Sequence, residues 1–183
     1  MTDEDDVAWE TLGSDLDYTC PGFGVIRDEV RLPDGTETEF HYVSESPSVV
    51  VLPFTTDGEV VVIEEWRQAV KRVNYGLPAG GLESADTDLL AAAHRELREE
   101  TGYEADAIER LDTYEPTNGL FDSVFHYVVA RGCTPTAEQD LDDNESIRVK
   151  TTPFPELTQR VVAGDLRDGR SALAVLQYAL RMD

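Results

Sequence analysis

Basic residues are scarce in this chain. Its 15 lysines and arginines stand against 38 acids, a formal net charge of −23, and only Lys71 and Lys150 are lysines. A surface of that sign repels phosphate backbones and no basic stripe interrupts it, which argues against a nucleic acid partner. Cysteine is scarcer still: Cys20 and Cys133 are too few for a disulfide framework and sit in no metal or redox spacing, so both read as packing residues. No run of eighteen apolar residues occurs, so no membrane-spanning helix is expected. The opening MTDEDDVAWE is acidic where a signal peptide is basic and then apolar, and the expected location is cytoplasmic. The chain also lacks G-x-S-x-G, Walker and GxGxxG patterns, which sets aside serine hydrolases, P-loop NTPases and dinucleotide-binding dehydrogenases. His41, His94 and His126 share no ligand spacing and read as structural.

What is present is a globular composition, 40% hydrophobic over 183 residues, enough for one catalytic domain with a sizeable core. Residues 1–17 carry seven acids and no base, the signature of a mobile, solvating tail with Trp9 as its only large apolar group. From Phe23 to Val43 two strand-like runs flank Pro33-Asp34-Gly35, which predicts a β-hairpin subdomain over 18–46. The runs SVVVLPFT (48–55) and VVVIEEW (60–66), joined by Asp57-Gly58, predict a second hairpin that opens the main domain, 47–183. A helix is expected from about Thr87, a strand over 124–130, an acid-rich loop, a strand over 147–151, and helices over 155–163 and 171–181.

The most informative stretch is Leu77–Tyr103, LPAGGLESADTDLLAAAHRELREETGY. On a helix, Glu99 and Glu100 follow Glu96 by three and four residues, so all three carboxylates share one face with Cβ atoms about 5–6 Å apart. Like charges at that spacing repel by a few tenths of a kcal/mol per pair, a cost that a cation removes. Oxygen-only ligands point to Mg²⁺ or Mn²⁺. Leu90, Ala93 and Leu97 form a separate apolar stripe, so sheet packing and metal binding are expected to use different faces.

Arg95, Glu96, Leu97, Glu99, Glu100, Gly102 and Tyr103 reproduce the Arg-Glu-apolar-any-Glu-Glu-any-Gly-apolar half of the Nudix box, and the chain resembles the Nudix hydrolases. The first half departs. Counted back from Arg95, the Gly is Gly81 but the Glu position holds Thr87; counted from Gly80, the acid is Asp86, one residue out of step. Asp86, or Thr87 as an N-cap, is expected to take over the support that the missing Glu gives. The resemblance implies an α/β/α sandwich around a mixed sheet, with Glu96, Glu99, Glu100 and a backbone carbonyl near Ala79–Gly80 as metal ligands, Gly80 and Gly81 against the substrate, and Arg95 orienting a ligand carboxylate.

Beyond the box, the resemblance points to the ADP-ribose and ADP-sugar pyrophosphatase branch and spans about residues 20–181. A β-hairpin subdomain ahead of the box, shared across a homodimer in that branch, is one feature. EEWR ending in Arg67 is similar to the branch's strand end, where an Arg grips the diphosphate. DDNESIRV is similar to the segment carrying the catalytic acid, which makes Glu145 the general base. GDLRDGRSALAVLQYAL is similar to the closing loop and C-terminal helix. Two positions depart: Gly76 stands where the branch has Glu, and Asn118-Gly119 where it has Pro-Gly. The resemblance thus implies Mg²⁺-dependent hydrolysis of a nucleoside diphosphate sugar, ADP-ribose giving AMP and ribose 5-phosphate. Other Nudix substrates (a dinucleoside polyphosphate, another NDP-sugar, an oxidised nucleoside triphosphate) and a non-catalytic nucleotide sensor are the alternatives. The acid excess itself is similar to that of halophilic proteins, whose self-repulsion is screened at ~1 M salt, where the Debye length is about 3 Å.

Overall fold

The computed structural model describes residues 6–182. Two compact units are present, one formed by the chain up to Ser46 with Thr117–Ser123, the other by Pro47–Pro116 with Val124 onward.

The first unit is a three-stranded antiparallel sheet, β1 (Glu10–Cys20), β2 (Phe23–Arg31) and β3 (Glu37–Glu45), in that order. Strand β1 corrects the expectation of a mobile tail over 1–17: from Glu10 onward the acids are paired, and only residues 1–5 of that stretch lie outside the described residues. Arg27 and Arg31 on β2 are the physical reason. Arg27 reaches Asp15 at 2.8 Å, Asp17 at 3.3 Å and Glu39 at 2.8 Å, and Arg31 bridges Glu10 and Glu37, so two arginines neutralise five strand acids. Trp9 docks edge-on against Phe40 at 5.7 Å between ring centroids. The segment Thr117–Ser123, which contains Asn118-Gly119, is bound to β3: Val43 N–H donates to Leu120 O at 2.8 Å and Asp122 N–H to Val43 O at 3.1 Å.

The second unit is a mixed eight-stranded sheet between helices. Its strands are β4 (Ser48–Thr55), β5 (Glu59–Arg67), β6 (Arg72–Gly76), β7 (Ala79–Gly81), β8 (Tyr103–Glu104), β9 (Ala107–Tyr114), β10 (Phe125–Pro135) and β11 (Ile147–Pro153). Its helices are α1 (Leu89–Thr101), α2 (Phe154–Ala163) and α3 (Gly169–Met182). The backbone order is β11-β5-β4-β10-β8, with β6 on β5, β7 on β4 and β9 on β10; β10 runs parallel to β4. Strand alternation divides the core. Val50, Leu52, Val60 and Val62 face Leu157 of α2 and Ala174 and Val175 of α3, while Val49, Val51 and Val61 face Leu89, Ala92, Ala93 and Leu97 of α1. This is the expected α/β/α sandwich. The β4–β5 hairpin turns at Asp57-Gly58, where Gly58 has φ +84° and donates to Thr55 O at 3.0 Å.

Candidate active site

Helix α1 is capped at both ends by its own sequence. Asp88, not Thr87, is the N-cap: its Oδ1 accepts from Leu90 N–H at 2.8 Å and Ala91 N–H at 3.0 Å, and the helix begins at Leu89 rather than at about Thr87. Gly102 ends the helix at φ +72° and donates to Arg98 O at 2.7 Å.

The acid stripe of α1 is not a solvated face. Glu96 is 8% exposed and Glu100 3%, so the expectation of separate packing and ligand faces is corrected: only Glu99 is half-exposed. Both buried acids lie under the glycine loop. Ala79 N–H donates to Glu100 Oε2 at 3.0 Å, and a Cβ at Gly80 would overlap the Glu96 carboxylate, so only glycine lets the loop backbone lie against that group. Leu90, expected in the apolar stripe, is partly buried at its margin, and Leu89 and Ala92 join Ala93 and Leu97 in the core.

Arg95 ties this assembly together. Its Nε and Nη2 grip Asp86 at 3.1 and 3.0 Å, Nη2 also donates to Gly81 O at 2.9 Å, and Nη1 donates to Glu96 Oε1 and Glu99 Oε2, each at 2.9 Å. Of the two expected substitutes for the missing box Glu, Asp86 is therefore the one that holds Arg95; it also accepts Glu83 N–H at 2.8 Å. The hydrogen bond from Arg95 holds the Asp86 carboxyl below its usual range.

The electrostatics mark a concentration of negative charge. Burial pushes the Glu96 carboxyl up to about 7 against the pull of Arg95, with Glu99 and Glu145 adding to the rise. Burial drives Glu100 well above the usual carboxylate range, with Glu96, Glu65 and Glu145 reinforcing it and Ala79 N–H opposing. Glu65, 7% exposed on β5, is raised by burial too, opposed by Arg67 and Arg170. Glu100 thus feels three other carboxylates, Glu96, Glu65 and Glu145.

Among the described residues, no three His, Cys, Asp or Glu side chains form a ready-made metal cage. Arg95 engages one oxygen from each of Glu96 and Glu99. The residues nonetheless fit a hard divalent cation. Their donors are all oxygen, Glu100 is buried without a cationic partner among the described residues, and the loop backbone at Gly80 is held against Glu96.

Glu145 stands in the loop before β11, with its backbone N–H donating to Asp142 O at 3.0 Å and its Oε2 accepting Asp142 N–H at 3.1 Å. That loop hangs on the C-terminal carbonyls of α1, which helix geometry leaves without partners. Thr136 and Ala137 N–H donate to Gly102 O at 3.0 and 3.1 Å, Asp140 N–H to Glu99 O at 2.9 Å, and Gln139 Nε2 to Glu100 O at 2.6 Å. The helix that carries the acids thus anchors the first part of this loop, at Thr136–Asp140, and Glu145 five residues further on lines a groove of about 550 Å³ with Trp66, Val73, Leu141 and Arg148. Arg67 ends β5 paired to Glu65 at 2.8 Å, beside a small recess formed with Asn74, Gly76 and Asp168. The three histidines stay apart: His41 lies 3.3 Å from Asp17, His126 shares a bond with Thr113, and His94 is exposed.

Sequence reasoning missed the burial of Glu65 and the anchoring role of Gln139. Alternation along β5 carries the signal for the first, since Glu64 pairs with Lys150 and Arg148 and its neighbour must face inward.

Comparison with known proteins agrees with this geometry. The family model described as NUDIX domain matches residues 45–171. The chain is 30% identical over 159 residues to the methanol dehydrogenase activator of Bacillus methanolicus, covering 84% of this chain and 85% of that protein. It is 26% identical over 155 residues to the ADP-ribose pyrophosphatase of Bacillus subtilis strain 168, covering 84% and 83%. A crystal structure of an ADP compounds hydrolase superimposes with a TM-score of 0.82 over 95% of this chain and 94% of that one, at 19% identity, which establishes the shared fold. With the box helix, its glycine loop and the sandwich all in place, the chain belongs to the Nudix hydrolase family.

Proposed function

We propose that this chain hydrolyses the diphosphate of a nucleoside diphosphate sugar, ADP-ribose first among them, releasing AMP and ribose 5-phosphate with Mg²⁺ or Mn²⁺ as cofactor. The observation that carries this reading is the burial of Glu96 and Glu100 together beneath Ala79–Gly80, where burial raises both carboxyls and a divalent cation would favour their ionised forms. Glu96, Glu99 and Glu100, with a carbonyl near Ala79–Gly80, would hold the metal. When bound, the metal neutralises the diphosphate and acidifies the attacking water. Glu145, in the loop whose first residues are anchored at the end of α1, takes the proton, and Arg67 grips the phosphates, for which a guanidinium is well shaped. Arg95 orients Glu96 and Glu99. The substrate choice draws on the similarity to the Bacillus subtilis ADP-ribose pyrophosphatase.

The test is product identity from a nucleotide-sugar panel with and without Mg²⁺, beside Glu100→Gln. AMP release that needs Mg²⁺ and falls by orders of magnitude in a folded Glu100→Gln protein is the expected outcome. Equal turnover in that variant defeats the reading, and nucleotide binding without turnover would make the chain a sensor. A homodimer is part of the same proposal: Leu12, Leu16, Tyr18 and Phe23 are exposed on the three-stranded sheet, an apolar surface that suits a second copy. Sedimentation of the intact chain and of one trimmed before Ser46 checks this, and a monomeric, fully active intact chain rejects it.

A further inference from the structure

The N-terminus of α3 reaches the glycine loop from the opposite face of the sheet from α1. Ser171 is fully buried, and its hydroxyl oxygen accepts Leu77 N–H at 2.8 Å while donating its own proton to Asp168 Oδ2 at 2.8 Å. A serine hydroxyl has one proton to give, so the chain of bonds has a fixed direction, from Leu77 through Ser171 to Asp168. Asp168 is held in turn. It is the N-cap of α3, its carbonyl accepting Ala172 N–H at 2.9 Å, and Oδ1 lies 3.3 Å from both the backbone N and Nε of Arg170. Gly76 makes the approach possible: a Cβ there would stand 2.8 Å from Ser171 Oγ and 3.1 Å from Asp168 Oδ2.

The bond falls two residues ahead of the peptide that meets the acids. Pro78, which follows Leu77, has a fixed φ and its carbonyl accepts Val51 N–H at 2.9 Å. Ala79 N–H then donates to Glu100, and Gly81 O accepts from Arg95. The loop is thus pinned at four successive points, three of them by β4 and α1 and the first by α3.

We propose that Asp168 and Ser171 are positioning residues for the metal centre, setting the Leu77–Gly81 loop at the height where Ala79 and Gly80 meet Glu100 and Glu96. This rests on the metal-dependent reading above and adds to it the C-terminal helix as a support for the site. Without the latch, Leu77 loses its tie to α3 while Pro78 stays bound to Val51 and β7 to β4, so the loop settles at a different height against the two buried acids.

The experiment is a Mn²⁺ titration of the full chain followed by electron paramagnetic resonance of the free ion, on wild type, Ser171→Ala, Asp168→Asn and Gly76→Ala, with melting temperature alongside. Loss of a contact behind a ligand typically weakens metal affinity about 10–100-fold, and that range is expected for Ser171→Ala. Gly76→Ala deletes no hydrogen-bonding group and instead pushes a methyl into Ser171, so it should weaken Mn²⁺ in the same direction even where Ser171→Ala fails to fold. A structural role alone lowers the melting temperature and leaves Mn²⁺ affinity of the folded protein unchanged; that result in Gly76→Ala and Asp168→Asn overturns the proposal. Because the titration needs no turnover, a wild type that binds Mn²⁺ and hydrolyses no nucleotide sugar defeats the functional reading alone. A wild type that binds no Mn²⁺ defeats both.

Discussion

Asp86 shows how one residue out of register can be absorbed by a site. Its carboxylate takes Arg95 through two bonds of 3.0–3.1 Å, the bidentate geometry in which charge-assisted pairs are strongest. That grip governs the acids, because the guanidinium has a second edge on Glu96 and Glu99. Removing Asp86 frees Arg95 to settle more fully on the helix acids, where it competes with a cation. Asp86→Ala should therefore weaken Mn²⁺ binding by about 10-fold or more, while Asp86→Glu, which keeps the charge, recovers most of it. A titration showing equal affinity in wild type and Asp86→Ala would remove Asp86 from the site. The triad spacing was legible because 96, 99 and 100 must share a helix face, and Asp86 was legible as a nearby acid. Its partner was not, since the bond spans a loop whose path depends on β7 pairing with β4. Glu65 and Glu64 look alike in sequence: alternation puts them on opposite faces of β5, and it is the pairing of Glu64 with Arg148 and Lys150 of β11 that shows Glu65 to be the buried one.

At the scale of elements, strand β1 was misread, and the loop of residues 136–146, expected as a loop, hid its anchors, both for one reason. Both are acid-rich, so composition argues for solvation, yet each is fixed by partners distant in sequence: β1 by arginines of β2, the loop by the carbonyl end of α1. The hairpins and helices were legible because turn residues and apolar periodicity are local. Gly102 joins the two kinds of information. Its left-handed φ is a local helix stop, but a Cβ there would also collide with the Ala137 carbonyl, part of the loop that leads to Glu145. Gly102→Ala should lower stability by at least about 1 kcal/mol from the left-handed backbone alone. It should also reduce turnover, because the loop must move to admit the methyl. Asparagine tolerates the left-handed region but carries the same Cβ, so Gly102→Asn separates the two effects. If Gly102→Asn melts and turns over like wild type, contact with Ala137 has no bearing on the site.

For the molecule as a whole, arginine is the limiting resource. With 38 acids and 15 bases, single guanidiniums serve several carboxylates, as Arg27 does for three and Arg95 for Asp86, Glu96 and Glu99, and a large negative excess still remains. Two different cation effects follow. Monovalent salt screens the diffuse repulsion: the Debye length falls from about 10 Å at 0.1 M to about 3 Å at 1 M, below the spacing of most surface acids. Melting temperature should therefore climb between 0.1 and 2 M KCl, and at about 2–4 °C per kcal/mol for a chain of this size a rise of several degrees is readily measured. A divalent ion acts at one place. If it binds at Glu96 and Glu100, millimolar Mg²⁺ at constant ionic strength stabilises the fold by mass action, about 2.7 kcal/mol at one hundred times the dissociation constant. Glu100→Gln divides the two, because it removes one charge of many and one ligand of few. The KCl response should be nearly the same in wild type and variant, and the Mg²⁺ response should appear in wild type alone. Equal Mg²⁺ stabilisation in both would mean that the ion is spread over the acidic surface, and the buried pair would then need another explanation.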